Sequence, residues 1–153
     1  MNTVSNVQPK IRVAHDADLA AIEALLTASD LPIIGVRDAL CSFLVAEADG
    51  KIIGVVGIER HGRYALLRST AVAQEWRSRG VARRLVDRII AEAEDQSVNA
   101  LYLLTTSAER YFPNFGFAIT DRATVPEDIK ATSEFREVCC ASAKAMCLKL
   151  KNE

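Results

Sequence analysis

Three segments of strand length follow one another between residues 42 and 73, and short turns join them. Asp49-Gly50 is a two-residue turn of the kind that joins twisted antiparallel strands. Around His61-Gly62-Arg63 the chain turns again. Consecutive strands joined in this way pair as an antiparallel meander, so the chain must build a sheet and cover it. The predicted strands are Ser42–Ala48, Lys51–Arg60 and Tyr64–Ala73.

Strand-like and helix-like patterns alternate over the rest of the chain. Asp16 is placed to cap a helix that Leu31-Pro32 ends, and Ile33–Leu40 is predicted to be irregular. Thr124 and Glu127 have the spacing of a capping box. We therefore expect a mixed α/β, α+β-like fold with one twisted, mostly antiparallel sheet of about seven strands and helices on both faces. The remaining predicted strands are Ile11–Ala14, Ala100–Thr105, Phe117–Arg122 and Ala143–Lys149, and the remaining helices are Arg79–Gln96, Ser107–Asn114 and Pro126–Val138.

Composition excludes several classes of protein. The 153 residues match one domain, with residues 1–9 expected to be flexible. The net charge of −1 provides no basic excess for general nucleic-acid binding. No apolar run approaches the roughly 20 residues that span a bilayer, and the polar N-terminus lacks a signal-peptide core. The four cysteines have no paired CxxC spacing and the two histidines no metal-ligand spacing, so we expect a reduced, cytoplasmic protein without a metal.

The most informative stretch joins a strand, Ser69–Val72, to the start of the long helix. A helix N-terminus leaves several backbone N–H groups without partners and carries about half a positive charge. Gly80 and Ala82 are small enough to let an anion approach that backbone. Positive charge is added around the same turn by Arg77, Arg79 and Arg83. The alternative is an ordinary strand-to-helix turn with solvated arginines, and neither a GxGxxG nor a GxxxxGK[ST] pattern is present.

Two motifs at these positions resemble those of the GCN5-related N-acetyltransferases. The family signature [RQ]-x-x-G-x-[GA] is matched by Arg77–Ala82, after a strand, Leu66–Val72, that resembles the family's central strand. Farther on, Ala108–Phe117 resembles the family's A-x-x-x-Y-x-x-x-G-F element. The order and spacing of the elements fit from Ile11 to Leu150, so the resemblance covers nearly the whole chain.

The resemblance implies an acyltransferase that uses acetyl-CoA as its donor. Backbone amides of Arg79–Arg83 would bind the pyrophosphate, and the edge of Thr70–Val72 would pair with the pantetheine as an additional strand does. The acceptor amine would attack the thioester directly, without an enzyme nucleophile. The implied donor-binding residues are Thr70, Ala71, Val72, Arg77, Ser78, Arg79, Gly80, Val81, Ala82, Arg83 and Phe112.

One position departs from the family pattern. Phe112 stands where the family often places the tyrosine that protonates the leaving thiolate, and Tyr111 is about 100° away on a helix. Water or Ser107 would then supply the proton, or the thiolate would leave unassisted. Glu59 or His61 would take the amine proton, directly or through water, although single groups near a turn are often only solvated.

The acceptor is expected between Ile33–Leu40, the ends of the central strands and the Pro126–Val138 helix. Arg68 alternates with Leu67 and is a candidate partner for a substrate carboxylate, as is Arg37, the alternative for Arg68 being a solvated strand edge. Segments such as Asp30–Val36 resemble acetyltransferases associated with arsenic-resistance genes. That resemblance implies an amino-acid-like organoarsenical as the small-molecule amine.

Other functions remain open from the sequence. A protein or peptide N-acetyltransferase differs only in its acceptor groove, and a non-catalytic acyl-CoA sensor would explain the missing tyrosine. Thiol-based metalloid binding by Cys139, Cys140 and Cys147 is a further alternative, although free cysteines are commonly buried as small apolar residues. Homodimers are common among folds of this kind, and one is expected here.

Overall fold

The computed structural model describes residues 8–106, 108–132, 135 and 143–150. Its sheet has seven strands in the order β1-β2-β3-β4-β5-β7-β6, and β4 and β5 pair in parallel, whereas the other recorded pairs are antiparallel. The predicted fold class and strand number are therefore confirmed. The strands are Lys10–Val13 (β1), Phe43–Ala48 (β2), Lys51–His61 (β3), Tyr64–Val72 (β4), Ala100–Thr105 (β5), Ala118–Thr120 (β6) and Lys144–Lys149 (β7).

The helices are Leu19–Ala28 (α1), Val81–Asp95 (α2) and Glu127–Lys130 (α3), with shorter 3-10 turns between other elements. The chain divides into two compact units, each made of two segments. Unit 1 comprises Met1–Gly57 and Ser69–Val86, and unit 2 comprises Ile58–Arg68 and Asp87–Glu153. The prediction of a single domain stays a prediction.

In unit 1, two helices lie on opposite faces of the β2–β3 pair. Val45 and its partner Val55 share an apolar cluster with Ile22 and Leu26 of α1. Gly54 points the other way, because successive residues of a strand alternate between faces. A Cβ at Gly54 would lie 3.0 Å from Leu85 and 3.1 Å from Val81 of α2. The missing side chain thus lets α2 pack closely on the strand, which sets the position of its N-terminus.

The first turn of the meander has the predicted chemistry. Asp49 and Gly50 both adopt left-handed conformations, with φ of 53° and 78°. Two consecutive left-handed residues define a two-residue hairpin turn whose twist matches that of its strands. The predicted meander therefore follows from a local signal.

A network of charged side chains in unit 1 joins β1 to the start of α1 and to β2. Arg12 donates two hydrogen bonds to Asp18, of 2.7 and 3.1 Å, and one of 2.9 Å to Glu47. The Asp18 carboxylate also accepts the backbone N–H of His15 at 2.7 Å. Hydrogen bonds from Arg12, helped by that N–H and opposed by burial, lower the pKa of the Asp18 carboxyl to about 2.

Unit 2 contains the antiparallel β5–β7–β6 arrangement and α3. Its apolar cluster contains Leu66, Val125, Ile129, Phe135 and Ala145. Tyr64, Tyr102 and Leu104 pack against this cluster, and the two tyrosine rings meet edge to face with centroids 6.0 Å apart. Since Tyr64, Leu66 and Arg68 alternate along β4, they share the face that this cluster covers.

The predicted starts of helices α1 and α2 are wrong, for local reasons. The long helix begins at Val81, because Gly80 has a φ of 81° and cannot lie within a right-handed helix. Asp16 does not cap α1, because it lies inside a 3-10 turn, Asp16–Asp18, whose N-cap is His15. Asp18 closes that turn by accepting the His15 N–H.

The predicted helices after Thr105 are shorter than expected. Of the helix expected at Ser107–Asn114, Ser107 lies outside the described residues, and the rest is a turn followed by a 3-10 segment, Phe112–Phe115, with Pro113 in its first turn. Thr124 does not cap α3, because it lies inside the 3-10 turn Arg122–Thr124 and the N-cap residue of α3 is Pro126. Helix α3 ends at Lys130, and residues 133, 134 and 136–138 of the predicted helix lie outside the described residues.

The last predicted strand before α3 is also shorter than expected. It ends at Thr120 because Arg122 enters the 3-10 turn that Asp121 caps.

Two expectations about the chain as a whole can be compared with the structure. Among the residues that the structure describes, no helix is both long and apolar enough to cross a bilayer. Of the segment 1–9 that we expected to be flexible, residues 1–7 lie outside the described residues. Arg84 of α2 donates to Pro9 O at 3.0 Å and to the Gln8 side chain at 3.2 Å, so these two residues are held.

Candidate functional site

Strand β4 is irregular in its middle, where it passes from unit 2 to unit 1. Ser69 has a φ of 62° and is buried. A left-handed conformation costs a residue other than glycine on the order of 1–2 kcal/mol, and such residues concentrate at functional sites. Within the described residues, the register with β5 covers only Tyr64–Leu66 of β4. The later part of β4, where Thr70–Val72 lies, therefore continues without a β5 partner in that register.

The turn after β4 leads directly into the N-terminus of α2. Ser78 and Gly80 are both left-handed, with φ of 64° and 81°. The first bond of α2 runs from the Arg84 N–H to Gly80 O, at 3.1 Å. The N–H groups of Val81, Ala82 and Arg83 consequently have no acceptor one turn back within the helix. No acidic residue lies in the first turn of α2, so an anion meets no carboxylate there.

The arginines of this turn have separate positions that the sequence alone does not reveal. The Nε atom of Arg77 donates to Val72 O at 3.0 Å, which ties the turn to the end of β4. The guanidinium of Arg79 lies 5.0 Å from the ring centre of Trp76, a cation–π contact on a buried ring. Arg77 thus positions the backbone as well as supplying charge, and Trp76 is a supporting residue that the motif did not indicate.

Glycine at position 80 is required by its conformation and not by crowding. A Cβ built there meets no atom of the protein within 4 Å. A side chain at this position would therefore not collide with the described protein, but it would be strained by the left-handed backbone. Thr70, Ala71 and Val72 lead into this turn, where Ala71 and Val72 are buried and Thr70 is half-buried.

A second cluster lies entirely in unit 2 and consists of three charged or titratable side chains. Nη1 of Arg68 donates to Oε2 of Glu59 in a short hydrogen bond. Nε2 of His61 lies 3.5 Å from the other carboxylate oxygen, Oε1. The side chains of Arg68, Glu59 and His61 are 1%, 17% and 32% exposed, so the cluster runs from the core to the surface.

The structure excludes one alternative for Arg68 and brings together the two base candidates. Arg68 does not lie at a solvated strand edge, because it is buried and paired with Glu59. Its predicted role toward a substrate carboxylate stays a prediction. Glu59 and His61, proposed separately from the sequence, contact each other. The pairing of Glu59 with Arg68 was not predicted, since the two residues are nine positions apart on different strands.

The other predicted site residues are dispersed or undescribed. Phe112 is buried in an aromatic cluster with Phe117 and Tyr111, at centroid distances of 5.7 and 5.4 Å, so no hydroxyl replaces the family tyrosine at this position. Ser107 lies outside the described residues. Arg37 is exposed on the irregular segment of unit 1. Its role in acceptor binding stays a prediction.

The cysteines provide no support for a metal-binding site in the described part of the chain. Cys41 is exposed, Cys147 lies in β7 and is half-buried, and Cys139 and Cys140 lie outside the described residues. Among the described residues, no three or more His, Cys, Asp or Glu side chains are grouped to hold a metal ion.

Comparison with protein families shows to which family the chain belongs. The family model described as acetyltransferase (GNAT) domain matches residues 39–119, which is more than half of the chain. The chain belongs to the GNAT acetyltransferases. The match includes β4, the turn around Gly80 and α2, together with Glu59, His61 and Arg68. The predicted family is therefore confirmed, and with it an acyltransferase whose family uses acetyl-CoA as donor.

A curated relative and two solved structures are similar to this GNAT chain. An uncharacterized N-acetyltransferase of Chlorobaculum tepidum, CT2212, is 31% identical over 88 residues, which is 57% of this chain and 56% of that protein. The aligned region is thus little more than half of the relative's length.

Two structures with bound CoA have the same fold. Rv2747 of Mycobacterium tuberculosis, in complex with CoA and NLQ, has a TM-score of 0.79 at 22% identity, with 93% of this chain and 99% of that chain covered. N-acetylglutamate synthase of Neisseria gonorrhoeae, complexed with coenzyme A and N-acetyl-glutamate, has a TM-score of 0.81 at 21% identity, with 95% of this chain and 36% of that chain covered. At this identity the likeness supports the fold, and the acceptor has to be argued from the residues.

Proposed function

We propose that this protein transfers the acetyl group of acetyl-CoA to the primary amine of a small, amino-acid-like molecule. The observation that carries the proposal is the backbone arrangement after β4. There a left-handed Gly80 directly precedes the first N–H groups of α2, and three exposed arginines, Arg77, Arg79 and Arg83, lie in the turn or in the first turn of the helix. Arginine is disfavoured near a helix N-terminus by the helix dipole, and a bound diphosphate offsets that repulsion.

The donor assignment follows from hydrogen-bond chemistry. The N–H groups of Val81, Ala82 and Arg83 are suited to phosphate oxygens, which accept several donors at once. The pantetheine carries amide groups, and the backbone of Thr70–Val72 offers complementary donors and acceptors along a strand. Val72 O is already bound to Arg77, so Thr70 and Ala71 are the better candidates for this pairing.

The acceptor chemistry requires a base, and unit 2 provides one. A primary amine must lose a proton to attack, the new N–C bond forms as the C–S bond breaks, and the thiolate of CoA leaves. We assign the amine proton to His61, because its ring is the most exposed part of the cluster. One carboxylate oxygen of Glu59 contacts the His61 ring, and the other accepts a hydrogen bond from Arg68. Glu59 therefore acts on the reaction through His61.

The leaving thiolate is treated differently from the amine. Phe112 has no proton to donate, and the ring of Tyr111 packs edge to face against Phe112 and Phe115. A thiol is acidic enough to leave as the anion near pH 8.5, so unassisted departure costs little. We therefore propose that water protonates the thiolate after it has left, with Ser107 as the alternative.

The amino-acid-like acceptor is supported by a solved structure of the same fold. It is that of a synthase named for N-acetylglutamate, and its complex contains CoA with N-acetyl-glutamate. Arg37 is an exposed arginine on the segment predicted to contact the acceptor, and arginine binds carboxylates through two parallel hydrogen bonds. An organoarsenical with an α-amino group belongs to the same chemical class.

An acceptor screen tests the proposal. Release of free thiol from acetyl-CoA is measured with a panel of α-amino acids, their phosphonic, phosphinic and arsinic analogues, simple amines and peptides, and products are identified by mass. We expect turnover with at least one α-amino acid or analogue, and none with the matching α-hydroxy acid. Turnover with peptides alone would replace the small-molecule acceptor by a protein. Acetyl-CoA binding without amine-dependent turnover would indicate a sensor.

A further inference from the structure

The three side chains of unit 2 differ in what they can reach. Arg68 is almost fully buried, Glu59 is partly covered, and only the His61 ring is substantially exposed. A substrate amine can therefore contact His61, and it cannot contact Arg68 without rearrangement. Arg68 contacts Glu59, and through Glu59 it can act on His61.

The buried ion pair is not explained by stability. Removing a guanidinium and a carboxylate from water costs several kcal/mol per ion, and apolar pairs of similar volume often stabilise a core equally well or better. Arg68 also shares its face of β4 with Leu66 and Tyr64, which pack in an apolar cluster. An arginine retained at this position is thus evidence for a role of its charge and its hydrogen bonds.

The contacts define that role. An ionised carboxylate only accepts hydrogen bonds, so Glu59 favours the proton of neutral His61 on Nε2, which faces it. The other ring nitrogen, Nδ1, is then left as the proton acceptor. Arg68 fixes the carboxylate from the opposite side and compensates its charge while His61 is neutral. When His61 takes a proton at Nδ1, Glu59 stabilises the resulting cation.

We propose that Arg68 is a positioning residue: through Glu59 it sets the tautomer and orientation of His61 and so prepares Nδ1 to accept the proton of the acceptor amine. This inference rests on the proposed function. It goes beyond it because it assigns a task to a buried residue that contacts no substrate, and because it names the ring nitrogen that reacts.

The tautomer can be measured without any acceptor. The chain has two histidines, His61 and His15, and His15 is exposed in unit 1, so it serves as an internal reference in long-range 1H–15N spectra of the whole protein. In the wild type we expect the unprotonated nitrogen of His61 to be Nδ1. Arg68→Met should shift His61 toward a mixture of tautomers. Arg68→Lys should shift it less, because lysine keeps the positive charge and lacks only the planar guanidinium with its fixed donors.

Two further variants address folding and specificity. Arg68→Met leaves the Glu59 carboxylate without its cation and could unfold the protein, whereas Arg68→Met combined with Glu59→Gln removes both charges and should also give mixed tautomers. Arg60→Met is the matched control. Arg60 lies between Glu59 and His61 on the opposite face of β3, where it donates to Gly62 O at 3.2 Å, so His61 should keep its wild-type tautomer.

Kinetics separate this role from a structural one. Once an acceptor is known, Arg68→Met should lower kcat by about tenfold or more with little change in KM for acetyl-CoA. In a His61→Gln background the same substitution should cause no further loss, because the two residues act as a unit. An unchanged His61 tautomer in the folded Arg68 variants, or an equal loss of kcat in both backgrounds, would overturn the inference. Failure of every amine would instead remove the proposed function, while the tautomer would still decide the role of Arg68.

Discussion

The turn after β4 in unit 1 and the Arg68–Glu59–His61 cluster in unit 2 achieve their proposed chemistry in different ways. The turn uses the backbone: two left-handed residues and the start of a helix present main-chain N–H groups, which residues of nearly any type possess. The cluster uses side chains, each held by the next. A donor that is the same in every member of a family can be bound by main-chain geometry, whereas proton transfer needs particular functional groups.

Substitution of His61 should have the largest effect. His61→Gln keeps a polar side chain and removes the proton acceptor, so we expect kcat to fall by about 100-fold or more. The KM for acetyl-CoA should change little, because the donor is bound by other residues. Steady-state kinetics with the acceptor found in the screen provide the measurement. His15→Gln is the control and should leave both constants unchanged, and a fully active His61→Gln enzyme would exclude His61 as the base.

The backbone site can be tested with two side chains of nearly the same size. Gly80→Asp and Gly80→Asn impose similar strain at a φ of 81°, but only the aspartate adds a negative charge near the proposed diphosphate. We expect coenzyme A to bind about 100-fold more weakly to Gly80→Asp and only a few-fold more weakly to Gly80→Asn. Calorimetric titration gives both Kd values.

The result for Gly80 bears directly on the contrast between the two regions. Equal affinities for the two variants would show that no phosphate lies in front of α2. A loss of kcat at saturating acetyl-CoA, with Kd unchanged, would show that the turn affects the chemistry and not the binding.

A third prediction concerns an ion network that we regard as structural. Asp18→Asn removes the charge that Arg12 binds through two hydrogen bonds, and hydrogen bonds to charged groups contribute roughly 1.5–3 kcal/mol each. We expect the free energy of unfolding at pH 7 to fall by about 2 kcal/mol, and kcat of the folded enzyme to stay the same.

The pH dependence of this loss has a definite sign. The folded pKa of Asp18, about 2, lies below its ordinary value of 3.8, so its stabilising contribution is complete above about pH 4 and disappears as the pH falls through about 2. The difference between wild type and Asp18→Asn in urea unfolding should therefore shrink on acidification. A difference that stays constant from pH 7 to pH 3 would contradict the assigned ion pair.

The smallest effect is expected at Tyr111. Tyr111→Phe removes the hydroxyl and keeps the ring that packs on Phe112 and Phe115, so kcat should change by less than about twofold. The measurement is steady-state kinetics together with thermal unfolding. A loss of several orders of magnitude would mean that Tyr111 protonates the thiolate and that our placement of the family motif is one residue out of register.

Much of the fold could be predicted because its signals are local. Asp49-Gly50 specifies its turn through its own backbone preferences, and the strand order of the meander follows from short connections. The errors came where two local signals competed. The periodicity of α2 extends back to Arg79, but the conformation of Gly80 makes the helix begin at Val81. Thr124 has the spacing of a capping residue, but it lies in the 3-10 turn that Asp121 caps, and α3 begins after Pro126.

The sequence by itself determined the motif around Gly80, the helix that follows and hence the family, because a left-handed residue before a helix is a property of a few consecutive residues. It also placed Glu59 and Arg68 on neighbouring strands and His61 in the turn between them, whereas His61 ends β3. Only the tertiary structure decided that Arg68 is buried and that it pairs with Glu59. That outcome depends on the register between strands and on what covers their face, and both are set by packing among residues far apart in the chain.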